Sequence, residues 1–157
     1  MKNDIEAFWQ RFCRERGKDP GYREAFMFGV EADWLADLVV TGKKTATCSG
    51  LAFYEMENEA LPQAGEYDIV LDSREAPAAV IQVTSVDIVP MNEVSEAFAL
   101  AEGEGDYDEW WRAHEAFFRE ELPAIGRSFS PDMRLVCERF TCVYQEDSTK
   151  ETSSFVL

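Results

Sequence analysis

The chain has 157 residues, 46% hydrophobic and 13% aromatic, the length of one domain with ample material for a core, which excludes an intrinsically disordered polypeptide. Its 31 acidic against 15 basic side chains give a formal net charge of −16, a field that repels polyanions and excludes a protein that coats DNA or long RNA. No apolar run approaches the roughly 20 residues that cross a bilayer, and nothing after Met1 reads as a leader, so a cytoplasmic protein without a membrane partner is expected.

From Asn3 to Arg16, the residues Ile5, Phe8, Trp9, Phe12 and Cys13 recur at the spacing of an amphipathic helix, with Asn3 or Asp4 as cap and Gly17 past its end. The segment "KDPGY" is a turn. A second helix from about Glu31 places Trp34, Leu35, Leu38 and Val39 on one side and stops at Gly42. Lys44 to Ser49 is short and rich in Thr, the composition of a strand or strand entry. Strands follow over Tyr67 to Asp72 and Ala78 to Val89, joined by the turn "SREAP" and closed by Pro90. Asn92 to Leu100 reads as a short helix, and a glycine-broken acidic loop then leads into a helix over Tyr107 to Glu121, capped by Asp106 or Asp108. Arg134 to Tyr144 alternates as a final strand. The polar segment 145–157 is expected to be a mobile tail, with Phe155 to Leu157 able to dock. Strands and helices without regular βαβ alternation imply an α+β fold, built on a mainly antiparallel sheet or a small β-barrel.

The cysteines Cys13, Cys48, Cys137 and Cys142 form no C-x-x-C pair and read as free thiols. His114 is the sole histidine, so no zinc site is expected, and no metal is assigned. No dinucleotide fingerprint, P-loop or nucleophile elbow is present, and no cofactor is expected. What remains is "GKKTATCSG", residues 42–50, in which Gly42, Lys44 and Thr47 make a G-x-K-x-x-T pattern at a helix-to-strand junction. A lysine amine beside a Thr hydroxyl is a base and nucleophile pair, provided a turn or bulge brings both to one pocket. The plain reading is equally concrete: Gly42 ends a helix, and Lys43 and Lys44 complement its C-terminus. The loop "AEGEGD" places Glu102 and Glu104 where either carboxylate pairs with Lys44, or where both simply face solvent. His114 lies in a stripe with Trp110, Trp111, Phe117 and Phe118 and reads as a packed core residue. Arg139, on a mostly apolar strand face, needs a partner or a cavity.

Several of these segments together resemble bacterial ASCH-domain proteins, in particular a longer subgroup with extra N-terminal helices. They are the G-x-K-x-x-T segment, "YDIVLDS", "AAVIQVTSVDIVP", "EAFALAEGEGD", "EWWRAHEAFF" and "LVCERFTCVY". The likeness spans roughly residues 24 to 144, with residues 1–23 as the helical extension of a single domain. It implies a PUA-like β-barrel surrounded by helices, with a cleft lined by the family motif. It also implies two functions. PUA-like barrels bind RNA, and a small bacterial relative removes the acetyl group from the exocyclic amine of acetylated cytidine with a lysine, a threonine and a glutamate. By that resemblance Lys44 activates Thr47 for attack on the amide carbonyl, and Glu102, with Glu104 as its alternative, moves the proton to the leaving amine. The ligand-contacting set is then Gly42, Lys43, Ser49, Glu104 and Arg139. Ser49 stands where the small hydrolase has an arginine. The expected partner is a nucleoside-like small molecule, with a short RNA segment as the alternative; sequence leaves the oligomeric state open.

Overall fold

In the computed structural model, residues 2–29 and 31–146 are described. The tail proposed for 145–157, docking of Phe155 to Leu157 included, lies outside the described residues from 147 onward. The helices are α1 (Lys2–Arg16), α2 (Ala32–Val40), α3 (Leu51–Glu57), α4 (Glu96–Ala101) and α5 (Tyr107–Glu121). The strands are β1 (Glu24–Met27), β2 (Ala46–Gly50), β3 (Tyr67–Leu71), β4 (Pro77–Pro90) and β5 (Arg134–Gln145). They form one five-stranded sheet in the order β1-β3-β4-β5-β2, curled into a half-barrel, with β1 parallel to β3 and the remaining pairs antiparallel. The α+β, PUA-like architecture is therefore as expected.

The period-2 rule explains how this sheet is covered on both sides. Every residue of β3 is buried. Tyr67, Ile69 and Leu71 face α1 and pack with Phe8, Trp9, Phe12 and Cys13. Val70 faces the other way, into a cluster with Leu35, Leu38 and Val39 of α2 and with Phe28, Ile81 and Phe140. A third cluster joins α4 and α5 to the β2–β5 edge through Phe98, Trp110, Phe118, Ala46 and Leu135.

α1 begins at Lys2, ahead of both positions expected to precede it, and Asp4 sits inside the first turn, where a carboxylate suits the positive end of the helix dipole. α1 is tied to the far end of the chain. The Arg11 guanidinium pairs with Glu146, Nη2 lying 2.9 Å from Oε1, and the rings of Phe8 and Phe12 stand 5.2 and 5.6 Å from Tyr144. The helix expected over Asn92 to Leu100 is split into a 3₁₀ turn at Met91–Glu93 and α4, because Ser95 caps α4 by accepting from Phe98 N–H. α5 starts where predicted, with Asp106 and Glu109 forming a reciprocal capping box.

Candidate active site

The chain leaves α2 through Gly42, whose φ of 81° is the left-handed turn that glycine supplies without strain. The N–H groups of Lys43 and Lys44 both donate to Leu38 O at 2.9 Å, and Thr45 N–H donates to Ala101 O at 2.8 Å. Lys44 therefore precedes β2 in a loop. Strand alternation, which would send Lys44 and Thr47 to opposite faces, does not act on this pair, and both line one cavity of about 570 Å³.

Against this loop runs the acidic one. Gly103 takes φ 77°, and a Cβ there would stand 2.6 Å from Lys43 O, so only glycine passes this close. Its neighbours consequently converge on a single amine. Lys44 Nζ lies 2.8 Å from Glu104 Oε2, 3.2 Å from Glu102 Oε1 and 3.3 Å from Glu102 O. These three acceptors match the three N–H donors of an ammonium. Lys44 and Glu102 are each only 2% exposed, and the Phe28 ring centroid lies 5.1 Å from Nζ.

The second oxygen of Glu102 is equally engaged. It accepts from the Trp110 indole at 2.6 Å and the Cys48 thiol at 3.2 Å, and it lies 3.4 Å from His114 Nε2. His114 Nδ1 is 2.7 Å from Trp110 O, a carbonyl that only accepts, so Nδ1 carries a hydrogen. A neutral ring would then present a bare Nε2 lone pair to a carboxylate, and a second proton relieves that clash. Burial opposes the imidazolium, but the Glu102 contact and charge outweigh it, and His114 is held above its ordinary pKa. Burial alone would raise the Glu102 carboxyl; His114, Lys44 and Trp110 bring it down to about 2. Burial, then Glu102, pushes the Cys48 thiol well up, so this sulfur is a hydrogen-bond donor and a poor nucleophile.

Cys48, Glu102 and His114 bring ligand atoms within 4.8 Å of one another, a spacing that suits a metal ion. Glu102 Oε2 already receives the indole and thiol hydrogens and faces the imidazole, while Lys44 supplies positive charge at Oε1. A cation would have to displace that set, so the donor chemistry fits a hydrogen-bonded cluster better than a metal centre.

The opposite wall comes from the sheet. Thr47 stands directly across from Glu138 in the β2–β5 ladder. Beyond them Arg23 grips the buried Asp68 with two hydrogen bonds of 3.1 and 3.0 Å. Ser49 Oγ is hydrogen-bonded to Tyr54 Oη at 3.0 Å and also faces the cavity. Met27, Trp34 and Phe117 also line the cavity and are 44%, 45% and 50% exposed, which gives it an apolar margin towards solvent.

Of the residues singled out from sequence, Lys44, Thr47, Ser49, Glu102 and Glu104 line this cavity. Gly42 shapes the turn, and Lys43 is exposed beside it; neither is part of the wall. Arg139 lies elsewhere, over the Phe98 ring at 5.3 Å, in a second cleft of about 210 Å³ with Asp87 and Ser95. That ring and cleft answer its need for a partner. Several residues of the main cavity carry no local signal in the sequence, Arg23, Tyr54 and Glu138 among them, and His114 reads there as core.

A family model for the ASCH domain matches residues 24–144. A crystal structure from Enterococcus faecalis V583 superposes with a TM-score of 0.88 at 45% identity, covering 98% of this chain and 96% of the other. The ASCH domain from Lactobacillus crispatus JV V101 gives 0.82 at 34% identity, covering 92% and 94%. No curated protein matches significantly. The chain is a member of the ASCH-domain family.

Proposed function

We propose that the cavity binds a nucleoside-like ligand and hydrolyses an acyl group from its exocyclic amine. The observation that carries this reading is the buried Lys44, held between Glu102 and Glu104 in the wall of a cavity that also contains the Thr47 hydroxyl. A buried amine with two carboxylates is a proton-transfer device as well as an ion pair. The apolar rim of Trp34 and Phe117 suits stacking of a flat base.

The carboxylates divide the work. Glu102, brought down to about 2, is the fixed anion rather than the proton carrier that family resemblance implies. Glu104, 2.8 Å from Nζ with its side chain 31% exposed, accepts a proton from Lys44 as ligand fills the site. The freed amine takes the Thr47 proton while Oγ attacks the acyl carbonyl carbon. Collapse of the tetrahedral intermediate breaks the C–N bond, and Lys44 returns the proton to the leaving nitrogen. Water, deprotonated by the same amine, then attacks the Thr47 ester carbonyl; the C–Oγ bond breaks, the carboxylic acid leaves, and Lys44 returns the proton to Thr47 Oγ. Arg23, the residue before β1, brings a cation to the cavity, but its fork is spent on Asp68.

The test is release of cytidine from N4-acetylcytidine by the unmodified protein and by Thr47→Ala. Turnover that disappears in the variant supports the reading. Binding of the nucleoside with no turnover by either protein would make this a nucleotide pocket without catalysis, and binding of neither nucleoside nor short RNA would refute both.

A further inference from the structure

Glu138 is the odd carboxyl of the cavity. It is 8% exposed, it lines the cavity wall, and among the described residues it has neither a hydrogen bond nor an ion pair within 4 Å. A buried carboxyl is ordinarily paired, because leaving it unpaired is costly. Each element packed around it explains why no partner comes. From β1 and the residue before it, Glu24 repels it, and Arg23 has turned its fork onto Asp68. From β3 and its approach come Asp68 itself and Glu66. α3 offers Tyr54, whose hydroxyl is engaged by Ser49, and β4 opposes it with the apolar Val86. Burial first, then these like charges, raise the carboxyl to about 7 against the pull of Arg23. Only the cavity remains open to it, and directly across the ladder stands Thr47.

We propose that the Glu138 carboxyl is a specificity-determining contact, pairing through its O–H and C=O with a neighbouring acceptor and donor on the edge of an uncharged pyrimidine-like ring. The proposal rests on the cavity being a site for such a ligand. Its chemistry follows from the pairing: the O–H donates to a ring nitrogen, and the C=O accepts from the adjacent exocyclic N–H. Facing residues of an antiparallel pair have Cβ atoms about 4.5–5.5 Å apart. A ring held by Glu138 therefore presents the acyl carbon, one bond beyond its exocyclic nitrogen, on the Thr47 side. An ionised carboxylate accepts only and repels the ring nitrogen, so recognition fades as Glu138 loses its proton.

Calorimetric binding of N4-acetylcytidine to Thr47→Ala protein, in which turnover is blocked, tests this between pH 5.5 and 8.5. With Glu138 present, affinity is expected to hold below pH 6 and to fall towards about tenfold per pH unit once above pH 7. Glu138→Gln, which keeps a donor and an acceptor but cannot ionise, is expected to bind within about threefold of the pH 6 value throughout, and Glu138→Ala about tenfold more weakly at pH 6. Binding that is flat with pH when Glu138 is present, or unaffected by Glu138→Ala, overturns the proposal while leaving the ligand class standing. No binding by any of these proteins overturns the ligand class and the proposal together.

Discussion

Glu102→Gln separates the electrostatic cluster from the packing around it, since the substitution changes little in volume. Holding the carboxyl at about 2, against an ordinary value near 4.5, corresponds to about 3 kcal/mol in favour of the charged form. A lowered value in the folded state stabilises above the ordinary range and is lost as pH falls from about 4.5 towards 2. At neutral pH the variant leaves Lys44 with one carboxylate and His114 with none at Nε2, and breaking a buried pair in this way costs about 3–5 kcal/mol. The single histidine gives a clean reporter. With Glu102 neutral, burial remains the largest influence on His114, and its pKa should move from above its ordinary value to below it. NMR titration of the imidazole resonance reads this directly, and urea unfolding at pH 7 reads the stability. An unchanged imidazole titration, or a loss under about 1 kcal/mol, would refute the account of Glu102 as the anchor of both cations.

Glu138→Gln should stabilise the free protein at pH 8 by up to about 3 kcal/mol and have little effect at pH 4, because a carboxyl raised to about 7 costs stability progressively between about 4.5 and 7; equal urea midpoints at pH 8 would contradict this. Gly103→Ala should cost clearly more than Gly42→Ala, although both adopt positive φ, because only Gly103 has backbone 2.6 Å from the new Cβ. The expected losses are about 2–3 against about 1 kcal/mol by urea unfolding, and the reverse order would disprove the close-approach argument.

How much of this was legible depended on length and locality. α1 and α5 each carry several turns of 3.6-residue periodicity, and the Asp106 cap of α5 is written in adjacent residues. β1 and α3 were missed because four and seven residues are too few to show a period, and β1 exists only by pairing with β3. The sequence leaves two alternatives for Glu102 and Glu104, pairing with Lys44 or facing solvent. What decides between them is the tight pass at Gly103, a three-dimensional fact. His114 reads from sequence as a core residue, and it is largely buried; nothing in "WWRAHEAFF" discloses that Nε2 faces a carboxylate on another segment. Glu138 was the least legible, since its isolation results from where Arg23, Asp68 and Glu24 happen to meet.

The clasp between α1 and the end of β5 bears on the order in which the molecule is completed. Arg11 and Glu146 are 135 positions apart, and the surface that receives Phe8 and Phe12 includes Tyr144 as well as β3 and β4. α1 is thus made before the strands that receive it and is fully seated only when the end of β5 is in place, and until then Trp9 and Phe12 lack much of their burial. Closing so long a loop is an entropic cost met late, when most of the sheet is already in place to reward it. With a net charge of −16, chains repel one another in that interval as they do once folded.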